Sequence, residues 1–215
     1  MAHTPHTKLF LSSLVQIIFK FIGLEGDVMN TKVKSILMII VAVAVTIVLC
    51  NIYNRNRLCN QIGESEVYSI YLSSRAIDLC YSDERADIPY QLTSAALYLQ
   101  KAHAHIDSAT ASLLGVDSRK AFVGSIEYVA RFILSGGNTK DGYIRPAAQI
   151  DSEMNKDETL FYQKLSEILQ EIYSRQLSFI EDSYSLKFKK ISLHDINALS
   201  LEFQTKCAAL FNVQE

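Results

Sequence analysis

Tryptophan is absent from the 215 residues, and proline (3) and glycine (8) are scarce, which excludes collagen-like and loop-dominated chains. Disordered and low-complexity classes are excluded as well, because 49% of the residues are hydrophobic and only 20% are charged. There is no basic excess: the net charge is −2 and the pI about 6.2. No cation surplus is therefore available to neutralise phosphates, and no nucleic-acid partner is expected. Four cysteines occur without a C-x-x-C pair, so ribbon-type zinc sites and dithiol redox motifs are missing. Neither His-Glu-x-x-His nor the Glu-x-x-His of di-iron bundles is found, and no motif calls for a cofactor. No Asn-x-Ser/Thr sequon occurs, which fits a bacterial source.

What the chain does have is one long apolar run. Ser35 to Ile52 are 18 consecutive uncharged positions, which as a helix cover about 27 Å, close to the hydrocarbon thickness of a bilayer. Lys32 and Lys34 precede the run, and Tyr53, Arg55 and Arg57 follow it. These five residues are the expected membrane-interface anchors, with long cations reaching toward headgroups. Cleavage is not expected, since the small pair around Ala42-Val43-Ala44 lies inside the apolar stretch rather than after it. Lipidation at Cys50 is disfavoured because Leu49 stands where such a signal places a small residue.

Residues 1–28 form a tail with an apolar stretch, Leu9 to Ile22, that is too short to span and is interrupted by Lys20. Two readings stay open for it. It is an interfacial helix, or translation starts at Met29, since codons for Leu24-Glu25-Gly26 can spell a ribosome-binding sequence just upstream. The organisation that follows is a tail (1–28), a transmembrane signal-anchor (29–53) and a helical bundle domain (54–215). Flanking cations nearly balance across the span, but a short basic start followed by a long domain favours the N-terminus inside. The C-terminal domain is then extracytoplasmic on a cell membrane, single-pass.

Residues 54–215 carry 17 Lys and Arg against 21 Asp and Glu, a mildly acidic and soluble composition. Five stretches follow the helical period. The first runs from the span to about Tyr81, through Val67, Ile70, Tyr71 and Ile77, either as a helix of its own or as a continuation of the membrane helix. The second repeats Leu92, Ala96, Leu99, His103, Ile106, Thr110 and Leu113 in steps of four and three, with Asp87 and Pro89 at its start and Gly115 at its end. A third is expected from Ser118 to Ser135 through Phe122, Ile126, Val129 and Ile133, then a loop from Gly136 to Lys156. A fourth is expected from Asp157 to Lys187, using Phe161, Leu165, Ile168, Ile172 and Phe179. The fifth opens on Ser192-Leu193-His194-Asp195, a capping pattern, and runs through Phe203, Cys207 and Leu210. The expected fold is all-α: a single transmembrane helix followed by an antiparallel four- to five-helix bundle.

Chemistry is thinly represented. His103 and Asp107 share a helix face at i, i+4, the only weak metal candidates, but two ligands make half a site and a seam histidine is usually satisfied by a neighbour. If Cys59 and Cys80 lie on one continuous helix they are 21 residues apart and cannot bond to each other, whereas export would permit a bridge from either to Cys207. Ser135 to Gly142 lacks the Gly-Lys-Ser/Thr ending of a phosphate loop and reads as a helix stop with a solvated turn. Glu127 and Arg131 read as a surface pair, and Lys187, Lys189 and Lys190 as a basic cluster near a helix end. No catalytic constellation is recognisable, so an enzyme is not expected. The leading expectation is a membrane-anchored interaction or structural module at the cell envelope, with another envelope protein or a second copy as partner. The alternative is an extracytoplasmic ligand-sensing bundle that signals through a partner; a metal-dependent enzyme ranks below both.

Overall fold

A computed structural model describes residues 31–82, 86–112, 122–151, 153–180, 185–188 and 191–211. Among these the fold is all-α, with five helices and two short antiparallel hairpins. The chain divides into two compact units, Met1–Asn54 and Arg55–Glu215, and helix α1 (Thr31–Ser82) contributes residues to both.

In the first unit α1 carries the apolar run. Its large side chains stay exposed, Ile36, Ile39, Ile40, Ile47 and Leu49 each by half or more. In water such a surface would be buried by collapse; within hydrocarbon it needs no cover. Among the described residues this is the one helix long and apolar enough to cross a membrane.

In the second unit the same helix buries one stripe. Cys59, Ile62, Val67, Ile70, Ala76 and Ile77 are inside, interleaved with Gly63, Glu66, Ser69, Ser73 and Ser74. Small residues on that stripe let neighbours approach closely. A Cβ at Gly63 would collide with the side chain of Ile191, whose backbone N–H donates to Asn60 Oδ1 at 2.9 Å.

Helix α2 (Ile88–Ser112) begins where Asp87 accepts from the Tyr90 N–H at 3.0 Å, with Pro89 in the first turn as expected. It buries Leu92, Ala95, Ala96, Leu99, Ala102 and Ile106. Thr110 belongs to its last turn by backbone only; Leu113 and Gly115 lie outside the described residues.

Helix α3 (Ile126–Ser135) is shorter than the expected 118–135 stretch. Residues 118–121 lie outside the described residues, and Phe122 precedes the helix with its ring exposed. The start is set by Gly124 at φ +84°, a conformation no helix interior takes, and Ser125 then caps the helix by accepting from the Tyr128 N–H. A side chain at Gly124 would strike the backbone at Ala208 and Gln204.

After Gly136, strands β1 (Gly137–Asn138) and β2 (Tyr143–Ile144) pair antiparallel, followed by a 3₁₀ turn (Ala147–Gln149). Helix α4 (Lys156–Ser174) opens with a capping box in which Asn155 and Glu158 satisfy each other's backbone N–H.

The fourth stretch does not reach Lys187. Helix α4 stops at Ser174, and Leu177–Ile180 (β3) pairs with Ser185–Phe188 (β4) in register Leu177↔Phe188 and Phe179↔Leu186. Leu177, Phe179, Leu186 and Phe188 alternate with Ser178 and Lys187, a period of two that brings apolar positions opposite one another. Phe179 lies seven residues after Ile172, so it also matches the helical period, which is why a helix was expected there.

Helix α5 (Leu193–Ala208) starts on the expected Ser192/Asp195 capping box. It buries Ile196, Leu199, Phe203 and Cys207.

Side-chain pairs give the packing directions. Helices α1 and α4 run antiparallel, joined by Tyr71 with Tyr173, Ser74 with Ser166 and Tyr81 with the Thr159 carbonyl. Helices α4 and α5 are antiparallel too, with Arg175 on Glu202 and Glu171 on Lys206. The core between α3, α4 and the C-terminal turn is aromatic: Phe132 lies 5.3 Å from Phe161 and 4.9 Å from Phe211 by ring centroids, with Tyr128 5.0 Å from Phe211.

Candidate functional site

Of the expected interface residues, Tyr53, Arg55 and Arg57 are exposed on α1, just past the apolar run. Lys32 and Lys34 lie on the helical backbone of the same element, and their side chains are outside what is described.

His103 sits half-buried on α2, with Nε2 3.3 Å from Asp107 Oδ2 and 3.4 Å from Glu127 Oε2 of α3. Arg131 also pairs with Glu127 one turn along. The imidazole is thus held by a carboxylate from each of two helices, and the guanidinium occupies the second of them. Among the described residues no group of three or more His, Cys, Asp or Glu is placed to hold a metal ion. The geometry is that of an interhelical tie, with Glu127 the member that sequence spacing could not bring to the pair.

All four cysteines are free. Cys207 is fully buried, and burial pushes its thiol up; Cys80, half-buried on α1, is pushed up to about 12 by burial. Neither is an available nucleophile. The 139–142 turn uses its own N–H groups: Thr139 Oγ1 accepts from Asp141 and Gly142 and donates to the Gly142 carbonyl. Nothing there is left to cradle a phosphate.

Two buried carboxylates stand apart from this inventory. Glu158 is wholly buried, and Arg145 meets it with Nε at 2.7 Å and Nη2 at 2.8 Å. The Asn155 and Arg145 backbone N–H groups also donate to it. Burial works to raise its titration, but those four hydrogen bonds and the guanidinium charge outweigh it and hold the carboxyl below the ordinary range.

Glu66 is equally buried on α1 and has no such partner. Neither carboxylate oxygen closes a hydrogen bond, although the Ser200 hydroxyl of α5 is near enough to bias its titration downward. Burial dominates and pushes the carboxyl up to about 8. Three more enclosed oxygens on these two helices are also unsatisfied: Ser73 Oγ on α1, and Ser200 Oγ and Gln204 Oε1 at half-buried positions of α5. Ser200 and Gln204 are one turn apart and so share a face. Each unsatisfied group costs about 1–3 kcal/mol, so this concentration of orphans is the least ordinary feature of the bundle. It was legible in part: Ile62, Glu66, Ser69, Ser73 and Ile77 step by four and three, which places a lone carboxylate on the buried seam. The second half of the arrangement, on α5, is 134 residues away in sequence at Ser200.

Comparison with known protein families, with curated proteins and with solved structures yields no match to this chain.

Proposed function

We propose that the chain is a single-pass membrane protein whose helical bundle serves as an interaction or structural module at the cell envelope. The observation that carries this reading is the contrast along α1, where apolar residues from Ile36 to Leu49 are exposed while the stripe from Cys59 to Ile77 is buried. A surface for a partner is at hand on α2. Tyr90 and Leu97, seven residues apart on one face, are 65% and 55% exposed, larger apolar exposure than a bundle helix needs. The partner is another envelope protein or a second copy of this chain, and the bundle lies outside the cytoplasm with the N-terminus inside.

The test uses a photo-crosslinking residue at position 90 or 97 in membranes of the producing cell. A discrete adduct, lost when the other position is changed to Asp, supports the reading. Solubilisation of the chain by alkaline carbonate, or absence of any adduct from both positions, overturns it. Reporter fusions at the C-terminus fix the side: activity of an export-dependent enzyme is expected, and activity of a cytoplasm-dependent one reverses the orientation.

The buried Glu66 favours a second reading, a sensing bundle. A polar group kept inside at an energetic cost is the kind of element a stimulus can act on.

A further inference from the structure

We propose that the joint between α1 and α5 is operated by a proton on Glu66: the neutral acid holds the two helices together, and its ionisation loosens them. This inference stands independently of the membrane and partner reading.

Glu66 lies on the buried stripe of α1 with the Ser200 hydroxyl of α5 beside it, and neither of its oxygens closes a hydrogen bond. Ser73 Oγ, Ser200 Oγ and Gln204 Oε1 are further enclosed and unsatisfied oxygens on the same two helices. An ionised Glu66 can only accept, and a single hydroxyl does not repay the desolvation of its charge, so the joint favours the neutral acid.

Charge leads to the same state. On the packed elements, Cys59 of α1 and Cys207 of α5 are thiols kept neutral by burial, and burial likewise raises the Tyr173 hydroxyl of α4. Glu202 and Lys206 of α5 are engaged with Arg175 and Glu171 of α4, while Asp195 caps its own helix and His194 is exposed. Asp78 of α1 is held by Ser166 and Gln170 of α4. None of these groups is among the causes that shift Glu66, which are its burial and Ser200. A buried carboxylate without a cation is expelled from the interior or protonated.

The sign follows from linkage. In the unfolded chain Glu66 loses its proton near 4.5, and in the folded one near 8. Between those values the folded state binds the extra proton, so stability falls as pH rises, by up to tenfold per pH unit in the folded-to-unfolded ratio, and levels off above about 8. Glu66→Gln keeps the shape and supplies permanent N–H donors, so it mimics the neutral acid.

The test is thermal unfolding of the full chain in lipid nanodiscs, followed by tyrosine fluorescence from pH 5 to pH 9, for the unaltered protein and Glu66→Gln. The unaltered protein should lose stability across that range relative to the variant, and the two should agree at pH 5. Equal pH dependence in both overturns the proposal. Should Glu66→Gln fail to fold, infrared spectroscopy of the unaltered chain with isotope-labelled glutamate decides. A protonated-carboxyl band present at pH 6 and lost above pH 9 supports the joint, and its absence at pH 6 overturns it.

Discussion

Glu158 and Glu66 are both glutamates with no exposed surface, the first lying just beneath a partly exposed Arg145 and the second deep between helices, and their environments drive them in opposite directions. Around Glu158 the hairpin β1–β2 delivers Arg145 to the first turn of α4, and the capping box adds backbone donors. Around Glu66 the Ser200 hydroxyl of α5 is the one side chain that acts on the carboxyl, and no cation does. Burial alone therefore does not say what a carboxylate does; the donors that come with it do.

The comparison breaks most directly at Arg145. Arg145→Met should turn Glu158 into a second Glu66, leaving a buried carboxylate with only backbone donors, and should give a larger loss of stability than Asn155→Ala or Ser200→Ala, read at neutral pH by chemical denaturation. The pH profiles sharpen it. Because the folded-state value of Glu158 is depressed, its contribution is present above the ordinary carboxyl range and is lost as pH falls through that range. Arg145→Met should flatten that acid limb and deepen the fall at higher pH, where a second buried carboxylate without a cation then titrates beside Glu66. A smaller effect belongs to Asn155→Ala, which removes one reciprocal bond of the cap and should cost about 1 kcal/mol. Smallest is Ser200→Ala. It deletes a hydroxyl that closes no hydrogen bond, so the change should stay within about 0.5 kcal/mol, and a larger loss would mean that Ser200 is donating to an ionised Glu66.

Local signals in the sequence carried far. Ser192 with Asp195 marked the start of α5 within one residue, and Asp87 with Pro89 did so for α2, because capping is decided by neighbours three or four positions apart. Ser35 to Ile52 marked the apolar part of α1 for a similarly local reason. What escaped depends on tertiary partners or on ambiguous period. Phe179 satisfies both a seven-residue helical step and a two-residue strand step, and its pairing with Leu186 decides for the strand. Gly124 ends the helical pattern before Ile126 because α5 lies against it, a contact with residues some eighty positions on. The carboxylates divide the same way: Glu158 was readable as a capping residue beside Asn155, whereas the Ser200 hydroxyl that acts on Glu66 lies 134 residues further along the chain.

The bond from the Ile191 N–H to Asn60 spans 131 residues, and Ile191 fills the space that Gly63 leaves open. A growing polypeptide has added 131 residues after Asn60 before that lock can close. Until residue 191 leaves the ribosome, the stripe of α1 around Ile62 lacks the segment that packs on Gly63, so folding of the bundle waits on the synthesis of α5. The interval between insertion of the apolar run and arrival of α5 is the period in which this chain most needs protection from misassociation.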